Sequence, residues 1–191
     1  MSASKISAAN NATAKSYPVS AKLLHWVSAL MIISMLFLGV SMIQTLSTWQ
    51  YEALALHQSF GALVFVLVIF RLLNKLRFNA PALPDDLSRL QHLAAKGSHV
   101  LLYLGMLSLP MLGWLMQNAN GVDINVFGYL ILPSLISPGI ECYAVLREMH
   151  GLVAWLLFGL ILLHIAGALF HGLIRRDNVL KSMTFGDSKV K

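Results

Sequence analysis

Three histidines in one apolar run carry most of the chemistry this chain has to offer. His150, His164 and His171 lie within residues 147–176, REMHGLVAWLLFGLILLHIAGALFHGLIRR, whose fixed charges sit only at its two ends. In an α-helix the 14 residues from His150 to His164 span roughly 21 Å of rise and finish about 40° short of four full turns, so the two imidazoles share a face at opposite depths. His171 follows seven residues later on nearly the same stripe. Ionisable side chains in such a helix are costly and face the bundle interior. A single one is accounted for by hydrogen bonds between helices. Three in register imply an occupant that imidazole serves, and imidazole suits iron, copper and zinc.

The elements that must position these rings are membrane spans. Of the 191 residues, 57% are hydrophobic and only 12% charged, against about 25% charged in soluble domains. The run itself exceeds the roughly 20 residues needed to cross a bilayer. Three further spans are expected at 20–44, 52–76 and 97–116. His25 and Trp26 fall in the second turn of the first, His57 in the second turn of the second, and His99 near the start of the third, which Pro110 is expected to kink. Pro81 and Pro84 break the chain after span two. Asp85 or Asp86 then reads as an N-cap for an amphipathic segment, LSRLQHLAAKGSH, expected to lie in the interface. The apolar link at 117–146 should pack over the bundle end. The chain thus divides into a disordered tail at 1–16, one membrane domain at 17–183 and a polar tail at 184–191. The fold expected is all-α, a four-helix transmembrane bundle with both termini cytoplasmic.

Orientation follows from charge. With four spans, the amino tail, the link between spans two and three and the carboxyl tail share a side with the helix ends beside them, and there lie all lysines and arginines except Arg147. That side is expected to be the cytoplasm. The formal net charge of +6 is explained by this bias and implies no nucleic-acid partner. The opposite links carry Glu52, Asp123, Glu141 and Glu148.

Depth now sorts the histidines. His57 and His150 lie near the outer helix ends; His25, His99 and His171 lie toward the inner ends, with His164 in the inner half. A b-type haem takes two axial ligands from facing helices, and imidazole is a common one. The outer pair is then His57 with His150. For an inner haem, depth leaves His25 with His164 or with His171, and His99 as a further candidate; His164 is favoured because it lies too deep to reach the interface. Gly61, Gly151 and Gly167 flank these ligands and would give a flat macrocycle clearance. Arg71, 14 residues beyond His57 on the same face, and Lys75 could pair with haem propionates or a quinone headgroup. The one cysteine, Cys142, excludes an intramolecular disulfide, a multi-cysteine metal centre and haem attached through C-x-x-C-H.

These motifs together resemble the bacterial cytochrome b561 family, which is related to the cytochrome b subunits of nickel-iron hydrogenases. The resemblance is carried by LLHW at His25, LHQSFG at His57, R-x-x-x-K-x-R from Arg71, GSHVLLY at His99, MHGLVAW at His150, LLHIAGALFH through His164 and His171, and RRDNVLKSM after them. It implies a four-helix bundle in the cell inner membrane holding two haem b groups. His25 with His164 would ligate the cytoplasmic-side haem, and His57 with His150 the outer one. His171 would lie by the inner quinone region. The function implied is electron transfer between the quinone pool, ubiquinone being a candidate, and an unidentified donor or acceptor, as a superoxide or other donor:quinone oxidoreductase. The alternative is a membrane-anchor subunit that docks a soluble redox partner.

Overall fold

A computed structural model describes residues 16–44, 48–78, 80–84 and 86–185. Most of the expected amino tail, Asp85 and the last six residues of the expected carboxyl tail lie outside the described residues. Four long helices dominate: α1 (Val19–Gln44), α2 (Trp49–Arg77), α3 (Arg89–Ala119) and α4 (Ile140–Leu169). The fourth continues as one π-helical stretch, Phe170–Arg175, and a short α5 (Val179–Met183) follows. All four long helices are long and apolar enough to cross a membrane. Their outward faces are apolar too, with Leu30 (70%), Ile43 (71%) and Leu163 (72%) exposed. Such surface is stable only against lipid, since soluble monomers keep contiguous apolar patches small.

Packing runs in chain order, α1 on α2, α2 on α3 and α3 on α4. The α3–α4 contact is close because Gly105 faces Leu157; a Cβ at Gly105 would lie 3.1 Å from Leu157 Cδ1. Against α1 and α2, α4 stands back and meets them through ring pairs, His25 with His164, Phe37 with Phe158 and His57 with His150. The buried cluster of Ile32, Val64, Val68, Leu102, Met106 and Leu157 fills the middle of the bundle. Leu157 is seven residues from His150 and seven from His164. An apolar layer therefore separates an outer from an inner histidine level.

Two expectations need correction. The segment LSRLQHLAAKGSH is not a separate interfacial helix, because α3 runs unbroken from Arg89. Nothing between it and the span stops a helix; Gly97 costs only about 1 kcal/mol relative to alanine. The cap is Ser88 rather than Asp86: Gln91 N–H donates to Ser88 Oγ (3.3 Å) and Ser88 N–H to Gln91 Oε1 (2.9 Å), a capping box. Pro110 lies within this same continuous helix.

The link after α3 contains a hairpin that periodicity could not reveal, its strands being two residues each: β1 (Asn125–Val126) and β2 (Leu130–Ile131), paired Asn125 with Ile131 and Val126 with Leu130. Its turn needs positive φ at Phe127 (51°) and Gly128 (82°). For a bulky residue that conformation is unfavourable, and here it is held from outside. Phe127 N–H donates to Ser59 Oγ (3.0 Å), Ser59 Oγ donates to the Asn125 carbonyl (3.4 Å), and the Phe127 ring meets Phe60 edge-on at 5.2 Å. The hairpin is thereby fastened to α2 two residues beyond His57. Asn118 Oδ1 accepts from Leu135 N–H (3.0 Å) and Trp114 Nε1 donates to the Pro133 carbonyl (3.1 Å), tying the rest of the link to the end of α3.

At the other end, Arg176 takes the left-handed conformation (φ 55°) and turns the chain back. Gly172 makes room for the Leu180 side chain. Ser16 Oγ and Tyr17 N–H both donate to the Ser182 carbonyl, and Trp26 Nε1 to that of Met183. Ser16, the last residue of the expected tail, is thus engaged with α5.

Candidate functional site

The outer level consists of two imidazoles facing each other across the gap between α2 and α4. The rings of His57 and His150 have centroids 6.3 Å apart and planes inclined at 67°. Each has a buried Nδ1 without a hydrogen bond of ordinary geometry, although the Leu109 carbonyl faces His150. Buried polar atoms in native proteins are almost always satisfied, so an orphaned pair points to a group that uses them. Close approach comes from glycines of neighbouring helices. A Cβ at Gly39 would lie 3.5 Å from His57 Cε1, and one at Gly113 would lie 3.2 Å from His150 Cε1. Of the glycines expected to give clearance, Gly151 and Gly167 face open space, and Gly61 approaches Met35 at 4.0 Å.

The inner level repeats the arrangement between α1 and α4. His25 and His164 have centroids 6.3 Å apart at 57°. His99, from α3, brings a third ring to His164 at 5.6 Å. Its Nδ1–H donates to the Ala95 carbonyl one turn back (2.6 Å), which leaves Nε2 as the free nitrogen. Arg71 reaches from α2 into this level. It donates through Nη2 to His25 Nδ1 (2.8 Å) and through Nη1 to Ser28 Oγ (2.9 Å), and Ser28 in turn donates to the His25 carbonyl (3.0 Å). Arg71 and Lys75 also converge on the Tyr103 ring, at 5.4 and 4.6 Å from its centroid. Among the described residues no carboxylate pairs with either cation.

A metal–imidazole bond of about 2.0–2.1 Å, added to a ring radius of about 1.1 Å on each side, puts two trans imidazoles roughly 6 Å apart between centroids. Both pairs meet that spacing. Few backbone contacts join α4 to α1 or α2 beside the ring pairs, and at the inner level two cations without a carboxylate partner among the described residues suit the carboxylates of a bound group. Among the described residues no group of three or more His, Cys, Asp or Glu could hold a metal ion by itself. The donor set therefore fits a metal carried in a macrocycle, and haem is such a group.

His171 does not join either pair. It sits in the π-helical stretch at the inner end, with Nδ1 2.6 Å from Asp177 Oδ2. Three contributors at the inner end were not singled out from the sequence, Ser28, Tyr103 and Asp177, although the last two fall within the GSHVLLY and RRDNVLKSM motifs. The RRDN motif put Asp177 near His171, but only the π-turn brings the two side chains together.

Comparison with known proteins gives a consistent result. A family model described as prokaryotic cytochrome b561 matches residues 16–186. Cytochrome b561 homolog 2 of Escherichia coli K12 is 31% identical over 174 residues, 90% of this chain and 92% of its own length. Cytochrome b561 homolog 1 of the same organism is 32% identical over 127 residues, 66% of this chain and 72% of its own. A probable superoxide oxidase of Yersinia pestis is 30% identical over 128 residues, 67% of this chain and 72% of its own. The family match begins before the first span and ends beyond the last, taking in every histidine at both levels: the chain belongs to the prokaryotic cytochrome b561 family, multi-pass bacterial membrane proteins that carry haem b.

Proposed function

We propose that this protein is a di-haem cytochrome of the bacterial inner membrane that passes electrons between a donor at its outer end and the quinone pool at its cytoplasmic end. The observation that carries the reading is the repetition of one geometry, two imidazoles with centroids 6.3 Å apart, at two depths of one bundle. Each haem supplies a one-electron carrier when bound. His57 and His150 hold the outer group, His25 and His164 the inner one. Arg71 orients His25 from the side, and Arg71 and Lys75 offer charge to propionates. The Leu157 layer keeps water out of the space between the levels. His171 stands where a quinone headgroup arriving from the inner leaflet would meet a hydrogen-bonding side chain.

Both termini are assigned to the cytoplasm by the basic residues around them. The outer end carries Glu52, Asp123, Glu141 and Glu148 against Arg147. That balance repels an anion such as superoxide and favours a neutral or cationic donor. Vesicles holding this protein and loaded with ferricyanide test the reading. A membrane-impermeant reductant added outside should bleach the trapped ferricyanide with wild-type protein and not with His57→Ala; equal bleaching in both would refute transfer through two levels.

Gly113 offers a finer test. Alanine there is a better helix former by about 0.5–1 kcal/mol, but its Cβ must displace the His150 ring, 3.2 Å away, by a few tenths of an ångström. Gly113→Ala should therefore keep or raise thermal stability while shifting the midpoint potential of the outer haem alone. An unchanged outer potential would show that His150 tolerates the methyl group without moving.

A further inference from the structure

The turn after α4 builds a side-chain array that electron transfer between haems does not require. His171 Nδ1 lies 2.6 Å from Asp177 Oδ2, while Asp177 Oδ1 accepts from Val179 N–H at 3.0 Å. Arg175 Nε donates to the same Asp177 Oδ2 (3.3 Å), and its Nη2 pairs with Asp86 from the α2–α3 link. Side-chain exposure rises along the array from 16% at Asp177 and 23% at Arg175 to 70% at Asp86. In a regular helix a residue six positions on lies about 9 Å further along the axis. Here the π-turn and the left-handed Arg176 fold Asp177 back, so that its own N–H donates to the His171 carbonyl (3.2 Å). Two other histidines behave differently: Nδ1 of His92 and of His99 bonds a backbone carbonyl one turn back. Partial burial pushes the Asp177 carboxyl upward, but hydrogen bonds from His171, the Val179 amide and Arg175 outweigh it and hold it below the usual carboxylate range.

We propose that Asp177 is a positioning residue for His171, fixing the ring proton on Nδ1 so that Nε2 is the nitrogen offered to a quinol hydroxyl, with Arg175 and Asp86 bracing the carboxylate. This rests on the quinone site proposed above. When a quinol O–H bond breaks, the proton goes to Nε2, and the inner haem, when bound, would take the single electron released with it. The resulting imidazolium is stabilised by the carboxylate on its other side, then loses the Nε2 proton to water. In the reverse direction the imidazolium returns that proton to a reduced quinone oxygen.

The test uses the purified full-length haem protein and a short-chain ubiquinol, following haem reduction by stopped flow. Asp177→Asn, whose amide can present either NH2 or oxygen to the ring, should lower the limiting rate at least about tenfold with little change in the half-saturating ubiquinol concentration. Asp177→Glu should restore most of that rate. A wild-type rate in Asp177→Asn, or a Glu variant no better than Asn, would overturn the proposal. Infrared difference spectra of wild-type protein with 15N-labelled histidine provide a readout independent of the rate. The signal assigned by its loss in His171→Ala should be that of the Nδ1–H form, and an Nε2–H form would overturn the proposal. Unchanged kinetics in His171→Ala would instead remove the quinone from this end, overturning the reading on which the dyad rests.

Discussion

Replacing His57 by alanine is expected to yield a folded protein that keeps one haem and has lost the outer one. The outer imidazoles face each other at 6.3 Å with orphaned Nδ1 atoms, and among the described residues no third histidine approaches either ring. The loss should stay local. His150 and His164 are 14 residues apart on α4, roughly 21 Å, with the Leu157 layer between them, and sites separated by more than about 7–10 Å respond nearly independently. The inner level should behave differently. In His164→Ala the His99 ring, 5.6 Å from the ring that is removed, can offer its free Nε2 in replacement. A fraction of inner haem with an altered spectrum should persist, and His99→Ala added to His164→Ala should abolish it. Haem per polypeptide of each purified variant checks both statements. Two haems retained in His57→Ala would mean that the outer ligand is another residue.

The second large effect is expected at Arg71. Its guanidinium lies 2.8 Å from Nδ1 of His25 and has no anionic partner among the described residues. A positive charge this close favours the reduced iron and so raises the potential of the inner haem. A unit charge of order 10 Å away at an effective dielectric of about 20 is worth roughly 1.7 kcal/mol, about 70 mV for one electron. Arg71→Met keeps roughly the length of the side chain and removes the charge. The inner midpoint should fall by about 60 mV or more while the outer midpoint stays within experimental error. A spectroelectrochemical titration resolves the two, and an unmoved inner midpoint would show that Arg71 serves only to pin α1 through Ser28.

The helical register of the histidines was legible because it is fixed by covalent geometry: residues 14 apart on one helix share a face whatever packs against it. The spans were legible because apolar length is a property of composition. What the chain hides is decided across helices. The close approach to the outer imidazoles comes from Gly39 and Gly113, which are remote in sequence from the rings they abut, so proximity along the chain could not name them. The hairpin depends on Ser59, more than sixty residues before it, holding a strained Phe127. Asp86 and Ser88 are both good N-cap residues, and only the reciprocal bonds with Gln91 choose Ser88. His171 shared the apparent stripe of His150 and His164, yet the helix changes its winding at Phe170 and hands that ring to Asp177.

All of this depends on two irons held at two depths, and the most direct measurement is the haem content of the purified wild-type chain, taken with its reduced-minus-oxidised visible spectrum. Two haem b per polypeptide are expected, each with the spectrum of a six-coordinate, low-spin, bis-imidazole centre. One haem per chain, or a five-coordinate high-spin spectrum at either level, would contradict this.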